Sequence, residues 1–150
     1  MSQLLLVVLL AGAAAVVALV ARRRRPDAPA QGTGGWQAPT QLDRHDFAGA
    51  DQPWVVVVFS SATCQACASM VDKSKVLASA QVAVVEVEAG ERPDLHRRYG
   101  IEAVPITVVA DRQGVVRASF VGPASATDLW AAVAEARDPG SSPEPELGQQ

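Results

Sequence analysis

Six consecutive residues, Trp54-Val55-Val56-Val57-Val58-Phe59, are β-branched or aromatic with no polar residue among them. A strand with one wet face alternates apolar and polar side chains, so an unbroken run points to a strand covered on both faces. Such a strand belongs inside a sheet that carries a layer on each side, and the rest of the chain must supply those layers. Val82 to Val87 reads as a second buried strand. Between the two, Cys64 to Ala78 sets Cys67, Met70, Val71 and Leu77 at three- and four-residue steps, the period of a helix. Asp94 to Tyr99 is a short helix closed by Gly100 in the C′ position. Ile106 to Ala110 and Val115 to Phe120 flank Asp111-Arg112-Gln113-Gly114, a turn that makes them an antiparallel hairpin. Ser125-Ala126-Thr127-Asp128 caps a last helix running through Leu129, Trp130 and Val133 to the region of Ala136. Gln41 to Ala50 forms a short strand or helix, and its pattern does not decide between them. The order strand–helix–strand–helix–strand–strand–helix predicts an α/β fold, a central mixed β-sheet flanked by helices.

This domain, residues 41–137, has attachments on both sides. Leu4 to Ala21 contains no charged or strongly polar residue. As a helix it rises about 27 Å, close to the roughly 30 Å of a bilayer's hydrocarbon core. A cleaved signal peptide would begin with basic residues and end at a small-residue cleavage site. Here Met1-Ser2-Gln3 is uncharged, and Arg22, Arg23, Arg24 and Arg25 come after the apolar run. Residues 1–25 therefore read as one N-terminal transmembrane helix with a basic flank, touching lipid through residues 4–21. Arginines beside a span favour the cytoplasmic side, so a single-pass chain with a cytoplasmic domain is expected, with extracytoplasmic placement as the alternative. Residues 26–40, rich in Pro, Gly and Ala, read as a flexible linker, and residues 138–150 as a disordered tail.

Net charge is −3, but outside the arginine block 9 Lys/Arg face 16 Asp/Glu. Phosphate binding needs clustered cations, so no nucleic-acid partner is expected. Arg97 and Arg98, with His96, read as a solvated helix face, and Trp54 and Trp130 as packing aromatics.

Cys64-Gln65-Ala66-Cys67 lies where the first strand hands over to a helix. A thiolate is the nucleophile of disulfide exchange, and the unpaired N–H groups of a helix N-terminus stabilise it. Cys67, one turn behind, is placed to attack a mixed disulfide and release the substrate. Cys64, at the exposed helix start, is thus the candidate nucleophile and Cys67 the resolving thiol. Zinc would need further ligands, but no other cysteine exists and His45 and His96 lack ligand spacing. Two inert core cysteines are the other reading. The small polar Ser60, Ser61 and Thr63 before the pair favour exposure and chemistry instead.

Phe59 followed by Cys64 and Cys67, then Tyr99-Gly100-Ile101-Glu102-Ala103-Val104-Pro105, a hairpin, and Val121-Gly122 resemble the thioredoxin family over roughly Gln41 to Ala136. The resemblance implies a thioredoxin-like fold and a redox-active disulfide between Cys64 and Cys67. It implies that Pro105 is cis and lies against that pair, that the Val104 backbone pairs with an extended substrate, and that Gly122 completes the substrate groove. A trans Pro105 merely starting a strand is the alternative. The chain departs from the family at several positions. Thr63 replaces the usual Trp, Gln65-Ala66 the Gly-Pro, and Val58 the buried Asp that assists proton transfer to the second cysteine. Asp72 stands near the place of the helix proline. Slow resolution by Cys67 is expected, unless Glu86, Glu88 or a water substitutes.

The expectation is a membrane-tethered protein-disulfide oxidoreductase, most simply a reductant, using protein thiol/disulfide substrates and an upstream electron donor. No metal, nucleotide or organic cofactor is implied. The alternatives are an extracytoplasmic protein of disulfide formation or cytochrome maturation, and a non-catalytic binding module of the same fold.

Overall fold

The structure, a computed structural model, describes residues 35–140. Strand β1 (Trp54–Ser60) is the pivot of a four-stranded sheet ordered β2-β1-β3-β4, with β2 at Val82–Glu88, β3 at Ile106–Ala110 and β4 at Val116–Val121. β1 pairs parallel with β2 through a crossover that includes helix α1 (Gln65–Lys75), and antiparallel with β3. β3 and β4 form the antiparallel hairpin expected from the Asp111–Gly114 turn. There Asp111 Oδ1 accepts the N–H groups of Gln113 and Val115, and Gly114 turns the chain at φ 78°.

The unbroken apolar run of β1 is explained by its two coverings. Val55, Val57 and Phe59 meet Leu42, Phe47, Leu95 and Ile101, contributed by the N-terminal segment and by helix α2 (Pro93–Arg98) with its following loop. Val56 and Val58 face the other way, onto Met70 and Val71 of α1 and Leu129 and Val133 of helix α3 (Ala126–Arg137). Helices therefore lie on both faces of a mixed sheet. Helix α3 begins as its sequence indicates, with Ser125 Oγ accepting the Asp128 N–H at 3.0 Å.

Two expectations need correction. Val82–Glu88 is not a strand buried on both faces: β2 is an edge of the sheet, Val84 and Val85 are half-buried and Glu86 is exposed. Nor are His96, Arg97 and Arg98 one solvated face. His96 is only 6% exposed; its Nε2 lies 2.9 Å from the Val87 carbonyl oxygen and its ring stands edge-on to Phe59. Arg98 reaches back to Asp43 at 3.1 Å and Asp46 at 3.2 Å.

The stretch after Gln41 resolves into a single bridge from Gln41 to Val115 and a 3-10 turn at Arg44–Asp46. Buried Arg44 holds it down by donating to the carbonyls of Asp111, Gly49 and Gln52. Burial, with Arg112 nearby, draws the Arg44 pKa below its ordinary value, and Asp111 opposes that shift. Tyr99 fastens the same segment, donating to Asp46 Oδ2 at 2.5 Å and accepting from the Asp43 N–H at 3.0 Å. Its burial and the Asp46 carboxylate push its pKa up to about 12.

Among the described residues no helix is long and apolar enough to cross a membrane. The anchor expected at residues 4–21, its arginine flank and most of the linker and tail lie outside the described residues.

Candidate active site

At the C-terminal end of β1 the chain makes a tight turn, with the Cys64 N–H donating to the Ser61 carbonyl at 3.0 Å. Cys64 is the N-cap of α1, in extended conformation, and its Sγ accepts the Cys67 N–H at 3.1 Å. Cys64 and Cys67 form a disulfide, with Cα atoms 5.3 Å apart. One sulfur thus sits at the N-terminus of an eleven-residue helix, and the other lies one turn inside it.

Cys64 is only 4% exposed and Cys67 1%, so the expected exposed helix start is covered in this oxidised form. Ala62, Thr63 and Gln65 around it are exposed. Ser60 and Ser61 are buried rather than solvated, because both are structural: Ser60 Oγ donates to Glu86 Oε1 at 2.7 Å and Ser61 Oγ contacts Thr63 Oγ1 at 3.2 Å.

The other site residues converge on the same end of the sheet. Val104 is buried in one apolar cluster with Cys64, Cys67 and Phe59. The Val104–Pro105 peptide bond is cis. Gly122 joins them, its N–H donating to the Pro105 carbonyl at 2.8 Å and its φ at 92°, a conformation that favours glycine. Val58 is buried among Met70, Val71 and Leu129, so no ionisable side chain occupies that position beside α1. Across the ladder from it stands Glu86. Among the described residues no group of three or more His, Cys, Asp or Glu could hold a metal ion.

From the sequence, Glu88 is no more than a possible proton acceptor, and the structure gives it a further role. Its Oε1 accepts the Ala62 N–H at 2.8 Å, and its Oε2 accepts those of Gly90 at 2.7 Å and Glu91 at 3.0 Å. The visible signal was an acidic residue two positions before a glycine at the end of a strand. Nothing local, however, ties it to a residue 26 positions away.

A family model described as a thioredoxin-like domain matches residues 41–137. The chain belongs to the thioredoxin-like family. Solved structures agree on the fold. A mutant thioredoxin from Halobacterium salinarum is 22% identical with a TM-score of 0.53, covering 68% of this chain and 95% of its own. Thioredoxin f from spinach chloroplast, in its short form, is 20% identical with a TM-score of 0.51, over 69% of this chain and 99% of its own. Deadhead, a germline-specific thioredoxin from Drosophila, is 23% identical with a TM-score of 0.52, over 67% and 98%. No curated protein matches the chain. The thioredoxin-like domain thus keeps the family's architecture, with Thr63 and Gln65-Ala66 around its cysteine pair.

Proposed function

We propose that this protein is a thiol–disulfide oxidoreductase of protein disulfides, tethered to a membrane by residues 4–21, and that it acts as a reductant on the cytoplasmic side. The observation that carries the chemistry is the N-cap geometry, in which Cys64 Sγ lies against the Cys67 N–H at 3.1 Å at the head of α1. On reduction a thiolate at that sulfur gains the same N–H and the helix dipole. The Cys64 thiolate attacks one sulfur of a substrate disulfide, forming a mixed disulfide and expelling the other sulfur as a thiolate. Cys67, after losing its proton to solvent, attacks Cys64 Sγ and re-forms the Cys64–Cys67 bond. The second substrate sulfur leaves as a thiolate, and both substrate thiolates take protons from water. The substrate gains two electrons and the cysteine pair loses two, so an upstream dithiol must restore the reduced pair. Val104 offers its backbone to the substrate chain, and Pro105 and Gly122 shape the floor beside the cysteines.

The arginine block after residue 21 supports the tether and its orientation. A reporter active only outside the cytoplasm, fused after Gln150, is expected to stay silent while its cytoplasmic counterpart is active. The opposite pattern removes the cytoplasmic assignment and favours the oxidant reading.

A further inference from the structure

Glu88, the last residue of β2, is half-buried beside the turn that delivers Cys64. Its carboxylate has one oxygen on each of two segments. Oε1 takes the Ala62 N–H at 2.8 Å, two residues before the nucleophile; Oε2 takes Gly90 and Glu91 N–H at 2.7 and 3.0 Å. The Glu88 backbone carbonyl accepts the Glu91 and Arg92 N–H groups as well, which leads the chain into α2. One further link, Ala89 N–H to the Ser60 carbonyl at 3.0 Å, runs beside it.

Gly90 supplies an independent observation. Its φ is not in the left-handed region, so backbone freedom does not explain the glycine. A Cβ built there would meet Glu88 Oε2 at 2.9 Å, and its three nearest atoms are all from the Glu88 carboxylate. Space for that carboxylate is what the missing side chain provides.

We propose that Glu88 is a positioning residue for the redox reaction, a carboxylate clamp that fixes the Ser61–Cys64 turn so that Cys64 Sγ stays against the Cys67 N–H at the N-terminus of α1. The proposal rests on the thiol–disulfide reading of Cys64 and Cys67. A carboxylate suits the task because all three groups it holds are donors. An amide in its place would turn its NH₂ toward one of them, donor against donor. With the turn released, the sulfur loses its alignment with the Cys67 N–H, and the thiolate loses stabilisation.

The test uses the full chain and two variants, Glu88→Gln and Gly90→Ala. Each is assayed for dithiothreitol-driven reduction of insulin disulfides and for the pH profile of Cys64 alkylation by iodoacetamide. The variants act differently on charge. Glu88→Gln removes a negative charge, which alone would ease thiolate formation and lower the alkylation midpoint. Gly90→Ala keeps the charge and displaces the carboxylate. The clamp predicts that both raise the midpoint, by at least about 0.5 pH unit, and slow insulin reduction at least about fivefold. Should Glu88→Gln fail to fold, Gly90→Ala decides alone, since its backbone is unstrained and its new methyl displaces only the end of a side chain. A midpoint unchanged in Gly90→Ala, or lowered in Glu88→Gln, overturns the positioning role. A wild-type chain that reduces no insulin overturns the oxidoreductase reading instead, and the alkylation profiles still report whether Glu88 sets the state of Cys64.

Discussion

Cys64→Ser is expected to reduce dithiothreitol-driven insulin reduction to the uncatalysed background, a loss of at least about 10³-fold. A serine hydroxyl at the head of α1 is not ionised near neutral pH, so no nucleophile remains there to open the substrate disulfide. Cys67 cannot take over, because it is one turn inside the helix and 1% exposed. Cys67→Ser has a different signature. Its Cys64 still attacks, but nothing resolves the product, so a covalent mixed disulfide accumulates and is read as a mass increase. Trapping by Cys64→Ser instead would exchange the two roles. Full activity in Cys64→Ser would remove Cys64 as the nucleophile, and a wild type with no activity would leave the domain as a binding module.

The second large effect is on stability. Phe59 has no exposed surface and stands between the sheet and the layer built from α2 and the N-terminal segment. Its ring contacts those of His96 and Tyr99, at centroid separations of 5.5 and 6.0 Å. Truncation to alanine removes that ring's burial and leaves a cavity beneath the Cys64 turn, at a cost of about 3–5 kcal/mol. A domain of this size has only about 5–15 kcal/mol in total. Thermal unfolding of Phe59→Ala should therefore fall by roughly 15–30 °C, and Phe59→Leu, which keeps more of the volume, should fall less. A shift under roughly 5 °C would mean that the site end of β1 is not packed as described.

What the sequence disclosed divides along a physical line. Features encoded by near neighbours were legible. The double-sided burial of β1 follows from six residues, the close of α2 from Gly100, the hairpin from Asp111 and Gly114, and the start of α3 from Ser125. The cysteine pair and its strand–helix junction belong to the same class. Features fixed by distant partners were not legible. A valine-rich run reads alike in the middle and at the edge of a sheet, so β2 passed for an interior strand; only the sheet order shows its outer side. His96 sits in a polar stretch of sequence, and its burial is created by Phe59 and the Val87 carbonyl. Nothing near Arg44 in the sequence marks it for burial, which comes from three backbone carbonyls around it. The small residues before Cys64 suggested openness, whereas Ser60 and Ser61 spend their hydroxyls on Glu86 and Thr63. In each case the deciding hydrogen bond or ring contact gives no periodic trace in the chain.

The reduction potential of the Cys64–Cys67 couple, measured in the full chain by equilibration in glutathione buffers and thiol trapping, decides whether the pair is a reductant. Reversible two-electron titration is expected, with a midpoint of about −270 mV, the range of a dithiol that reduces protein disulfides in the cytoplasm. A midpoint near about −120 mV would make the protein an oxidant and contradict its direction and placement, and a disulfide unreduced until well below about −300 mV would be a structural staple and contradict the redox function itself.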